Sequence, residues 1–112
     1  MDLDVRQSGN ICTLKLKGPF KSGPPVDEFN RTILSALDTG HVYIVLNLEA
    51  MPVLDSSGIG AIVNALRKAK KMGGDVKLVS PSPFAEKTFK MVGILSLFTV
   101  YDTEDSAVAS LS

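Results

Sequence analysis

The sequence predicts one α/β domain spanning residues 1–112. Its sheet is mixed but mostly parallel, with an antiparallel N-terminal hairpin and helices packed on it. Three observations carry this expectation. Residues 3–7 and 11–17 alternate in polarity on either side of Ser8-Gly9-Asn10, the signature of two strands joined by a tight turn. Residues 42–48, Val42-Tyr43-Ile44-Val45-Leu46-Asn47-Leu48, are almost continuously apolar and β-rich, as in a central strand covered on both faces. Beyond the hairpin, helical and strand periods alternate, which calls for βαβ crossovers and parallel pairing.

Each element has a local reason. In residues 11–17, Cys12, Leu14 and Leu16 share one face, and Ile11, Thr13, Lys15 and Lys17 the other. Gly18-Pro19-Phe20-Lys21-Ser22-Gly23-Pro24-Pro25 is dense in breakers and reads as a loop. Residues 26–38 follow as a helix with Phe29, Ile33, Leu34 and Leu37 inward, stopped by Gly40. A second helix, ending near Met72, turns Ile59, Ile62, Val63, Leu66 and Ala69 inward, and Gly73-Gly74 ends it. Residues 75–79 form a short strand. Ser82 caps a helix with Pro83 in its first turn, and Gly93 stops it. Residues 97–101 form the last strand. Thr103, with Glu104 and Asp105 behind it, caps a closing helix that buries Ala107, Val108 and Leu111.

Composition narrows the function. Twelve basic and twelve acidic residues cancel, so no basic footprint points to direct nucleic-acid binding or to an anionic membrane surface. No apolar run approaches the roughly 20 residues that span a bilayer. The start, Met1-Asp2-Leu3-Asp4, lacks the basic and apolar regions of a signal peptide. Cys12 is the only cysteine, so no internal disulfide can form, and its place in an alternating strand reads as a buried, inert thiol. The expectation is a cytoplasmic protein.

The segment most charged with chemistry is Leu54-Asp55-Ser56-Ser57-Gly58-Ile59-Gly60, between the central strand and the second helix. It sets a carboxylate and two hydroxyls at a helix N-terminus, where backbone N–H groups lack partners and the dipole favours negative charge. Asp and Ser are also ordinary caps and Gly permits a tight turn, so a purely structural reading stands beside the functional one. The junction at the carboxyl end of a central strand, where α/β ligand sites collect, favours function. A serine hydrolase is excluded: the only histidine, His41, opens the strand at its far end, and neither serine has glycine two residues before it. No spacing suits a metal, and no phosphate-binding glycine loop ends in Lys-Ser or Lys-Thr, so neither catalytic residues nor a cofactor are expected. Arg67-Lys68-Ala69-Lys70-Lys71 is the one charge run; it reads as a solvated helix end or as a docking surface for an acidic partner.

Taken together, the chain resembles STAS domains of the anti-sigma factor antagonist type. The resemblance rests on Ile44-Val45-Leu46-Asn47-Leu48-Glu49, Val53-Leu54-Asp55-Ser56-Ser57-Gly58-Ile59-Gly60, Lys71-Met72-Gly73-Gly74, Phe89 with Gly93-Ile94, and Phe98. It implies partner switching in bacterial stress-responsive transcription. The unphosphorylated antagonist binds an anti-sigma factor that is also a serine kinase, which frees a sigma factor. The kinase then phosphorylates Ser56, and a phosphatase reverses the modification. The resemblance also places Asp55, Ser56, Ser57, Gly58 and Ile59 on the partner surface, with Phe20 and Lys21 beside them. Lys21 departs from the family, whose members usually carry an acidic residue shortly after the glycine that ends the second strand. The alternative is a constitutive STAS scaffold subunit of a larger signalling or transporter assembly, with Ser56 a plain cap.

Overall fold

The computed structural model describes residues 2–111. Its elements are β1 (Asp2–Ser8), β2 (Ile11–Lys17), α1 (Pro24–Asp38), β3 (Tyr43–Asn47), α2 (Ser56–Lys71), β4 (Asp75–Val79), α3 (Pro83–Met91), β5 (Thr99–Tyr101) and α4 (Glu104–Ala109), with a 3₁₀ turn at Leu95–Leu97. The strands lie in the order β1-β2-β3-β4-β5. β1 is antiparallel to β2, and the other three pairings are parallel.

Burial follows from the strand pattern. Cys12, Leu14 and Leu16 are wholly buried and join Ile44, Leu46, Val76 and Leu78 under α1, α2 and α3 in the main core. The opposite face is covered by α4, where Ala107 packs with Val45 and Val79, flanked by Ile11, Tyr101, Val108 and Leu111. β3 is therefore sandwiched, which is why its sequence does not alternate. Cys12 is deep in this core, and burial pushes its thiol pKa up, the state of an unreactive cysteine.

Four details differ from the sequence-based expectation. α1 starts at Pro24 rather than Val26, because proline fits the first helical turn, where its missing N–H costs nothing. Leu34 points outward at 51% exposure, since Val26, Phe29, Ile33 and Leu37 already define the buried stripe one residue away. The last strand begins at Thr99, because residues 95–97 wind into the 3₁₀ turn that drops Phe98 onto Phe89, ring centroids 6.2 Å apart. β3 covers Tyr43–Asn47, one residue shorter at each end than its apolar run.

One polar network and one close backbone approach fix neighbouring elements. Asn47, 8% exposed, donates from Nδ2 to Glu104 Oε2 at 2.8 Å and accepts the Glu49 N–H at 3.0 Å. Glu104 also pairs with Arg6 of β1. Burial pushes the Glu104 carboxyl pKa up, but hydrogen bonds from Asn47 and Arg6, with the charges of Arg6 and Lys15, outweigh it and hold the pKa low. The network latches α4 to the sheet. At the other end of the sheet, the α2–β4 turn passes so close to the chain entering β3 that a Cβ on Gly74 would lie 1.8 Å from the Val42 carbonyl oxygen.

These geometries separate paired substitutions. Gly74→Ala must force two backbones apart and should cost about 1–3 kcal/mol. Gly60→Ala, where an added Cβ meets nothing within 4 Å, should stabilise by about 0.8–1 kcal/mol through helix propensity. Urea unfolding of both variants checks the sign. In the same assay Glu104→Ala should cost about 1–3 kcal/mol, because it leaves the Asn47 amide without its acceptor. Arg6→Ala, which removes an exposed partner, should cost under about 1 kcal/mol.

Candidate functional site

The site is built by two segments that extend the sheet beyond its regular strands. After β2, Gly18 N–H donates to the Ala50 carbonyl at 2.9 Å and Phe20 N–H to the Val53 carbonyl at 2.9 Å. Asp55 N–H donates back to the Phe20 carbonyl at 3.2 Å, and Phe20 and Leu54 form a parallel bridge. Residues 48–54 thus carry the chain from β3 to α2 beside the 18–22 loop, anchored in the core by Leu48, Met51 and Leu54.

Asp55 caps α2 with extended backbone, φ −104° and ψ −176°. Its Oδ1 accepts the Gly58 N–H at 2.9 Å, and its Oδ2 accepts the Ser22 N–H at 2.9 Å. Those two donors, Ser22 first and Gly58 second, hold the carboxyl below the usual carboxylate range. The half-buried Asp55 side chain is a clasp between the loop and the helix. Ser56 and Ser57 stand in the first turn, both exposed, and their hydroxyls make no hydrogen bond among the described residues. Ile59 is half-buried, and Lys21 is exposed without an ion pair among the described residues.

Two of the sequence-selected residues lie beneath this surface. Phe20 is wholly buried, with its ring edge-on to Phe29 at a centroid distance of 5.1 Å. Its side chain supports the loop from below instead of flanking the contact surface. Gly58 is also buried; a Cβ there would sit 2.5 Å from the Phe20 carbonyl oxygen and 2.8 Å from its ring. The glycine is required by packing. Ser22 was missed by the sequence reading, because a backbone donor leaves no side-chain signal. His41 hydrogen-bonds Thr39 Oγ1 at 2.9 Å just before β3, at the strand end away from Ser56. Among the described residues no group of three His, Cys, Asp or Glu side chains could hold a metal ion.

The model of the STAS domain matches residues 2–107. The chain is also 32% identical over 84 residues to the anti-sigma F factor antagonist of Lysinibacillus sphaericus, a match covering 74% of this chain and 71% of that one. The chain belongs to the STAS-domain family of anti-sigma factor antagonists. Solved structures agree in fold. The antagonist SpoIIAA in its unphosphorylated form matches this STAS chain with a TM-score of 0.86 at 23% identity, covering 98% of this chain and 96% of that one. Phosphorylated SpoIIAA of Bacillus matches with a TM-score of 0.82 at 22% identity, covering 99% and 100%. One STAS fold therefore accommodates both states of that protein.

The clasp has a pH signature. Because the folded pKa of Asp55 is depressed, its stabilisation is complete above the unfolded value of about 3.9 and is lost as pH falls through the folded value. Asparagine keeps an acceptor for Gly58 but sets an amide donor against the Ser22 N–H. Asp55→Asn should lower Tm at neutral pH, and the gap to the parent protein should narrow as pH falls below about 4. Thermal melts across that range check it.

Proposed function

We propose that this STAS chain is a phospho-switched anti-sigma factor antagonist, with Ser56 as the residue that is modified. The observation that carries the reading is the Ser56 hydroxyl: exposed, without a hydrogen-bond partner among the described residues, and presented on a helix turn clasped by Asp55. In the modification, Ser56 Oγ attacks the γ-phosphorus of ATP held by the kinase. The bond to the β-phosphate oxygen breaks, ADP leaves, and the hydroxyl proton passes to a base of the kinase. The chain supplies the acceptor and the kinase supplies the chemistry, so we read this protein as a binding module and not an enzyme. The other participants are an anti-sigma factor serine kinase and a phosphatase acting on phospho-Ser56. The setting is cytoplasmic; no helix among the described residues is long and apolar enough to cross a membrane.

The contact surface in this reading is Ser56, Ser57, the exposed part of Ile59, and Lys21, with Asp55, Gly58 and Phe20 shaping it from behind. A phosphate brings about −1.5 to −2 charges at neutral pH. The fold tolerates that charge at a helix N-terminus, whereas a partner surface packed against the turn does not. A second reading, a constitutive scaffold subunit, draws on Lys21, whose charge is opposite to the acidic residue usual in the family.

Calorimetric titration with the cognate anti-sigma factor separates the two. For the switch, Ser56→Ala should bind within a few-fold of the parent protein, and Ser56→Asp should bind at least about tenfold more weakly, ~1.4 kcal/mol. Ser56→Ala should also abolish phosphate incorporation by the kinase, as read by intact mass. Equal binding by the two variants supports the scaffold.

A further inference from the structure

The basic run at the end of α2 borders an apolar groove that the switch does not use. The groove, about 490 Å3, lies between α2 and the 3₁₀ turn and is lined by Val63, Leu66, Arg67, Lys70, Lys71 and Leu97. The five α2 residues recur at helical spacing (i, i+3, i+4, i+7 and i+8) and so form one stripe along the helix. Its floor is apolar and open to solvent: Leu66 is 7% exposed, and Leu97 stands open at 52% on the other side. Its rim carries three cations. Lys70 lies 3.8 Å from Asp75, a carboxylate that Lys77 holds more closely at 3.2 Å. Arg67 and Lys71 have no acidic partner among the described residues.

We infer that this groove docks an acidic amphipathic protein segment, with apolar side chains on Val63, Leu66 and Leu97 and carboxylates toward Arg67, Lys70 and Lys71. The occupant follows from charge complementarity. A basic segment would be repelled by the rim, and a neutral one would cover cations without compensating them. A flat anionic bilayer fits less well, because the chain has no net charge to draw it to such a surface. Val63, the groove residue nearest the switch turn, lies seven residues along the helix from Ser56, about 10 Å at 1.5 Å per residue, and one turn beyond Ile59, so the groove begins where the switch surface ends. The inference does not depend on the reading of Ser56.

The test uses the full chain, ¹⁵N-labelled, and a synthetic helical peptide with leucines on one face and glutamates beside them. A control peptide carries lysine in place of each glutamate. The glutamate peptide should shift the amide signals of Val63, Leu66, Arg67, Lys70, Lys71 and Leu97, and the lysine peptide should not. Arg67→Gln with Lys71→Gln should weaken binding roughly three- to tenfold, and binding should weaken further with added salt. Leu97→Ser should weaken it similarly, and all variants are first checked for an unchanged melting curve. Gln retains helix propensity, and Leu97 is exposed, so these changes spare the fold. Shifts lying elsewhere, shifts equal for both peptides, or no shifts overturn the inference. Cosedimentation with phosphatidylglycerol vesicles without peptide binding also overturns it, in favour of a membrane surface.

Discussion

The first turn of α2 can stand against the 18–22 loop only because position 58 carries no Cβ. The Phe20 carbonyl oxygen occupies the space a methyl group would need, and that same oxygen accepts the Asp55 N–H. From this close approach the rest of the site follows. The loop is near enough for Ser22 N–H to reach the Asp55 carboxylate, and the Asp55 carboxylate is then fixed to cap the helix. Phe20, held by its backbone to Val53 and Asp55, presses its ring on Phe29 and so ties α1 to the same platform. The rigidity of the serine turn is thus a tertiary property: two crossover segments, distant in sequence, hold one helix end.

That arrangement also refines the electrostatics of a phosphate at Ser56. A bare helix N-terminus offers free N–H donors and the positive end of the dipole. Here Asp55 already occupies the Gly58 N–H, so an added dianion would share the helix end with a carboxylate. Ser22 and Gly58 hold that carboxylate from two sides and keep its pKa low. A phosphate there would have part of its charge offset by the helix dipole.

Much of this was legible in the sequence, for identifiable reasons. The unbroken apolar run of β3 signalled a strand covered twice, and the alternation of β2 assigned Cys12, Leu14 and Leu16 to the core. The caps Asp55, Ser82 and Thr103 each announced a helix start, and each side chain accepts an N–H of the first turn. What escaped notice depends on contacts between distant segments. Ser22 acts through its backbone, and the burial of Phe20 depends on Phe29 and Gly58, so no local pattern reveals either. Leu97 misled for a related reason: its apolar character suited a strand, whereas the 3₁₀ turn that seats Phe98 on Phe89 leaves it outside.

Helix α2 links the two surfaces and also keeps them apart. Its buried face, including Ile62, Ala65 and Ala69, is fixed in the core, so neither end can shift without disturbing the sheet. Ser56 and Lys71 are fifteen residues apart, about 22 Å along the axis. That exceeds the screening length of about 8 Å at physiological ionic strength, so charge added at Ser56 is scarcely felt at the basic rim. A single partner long enough to touch both ends would couple them.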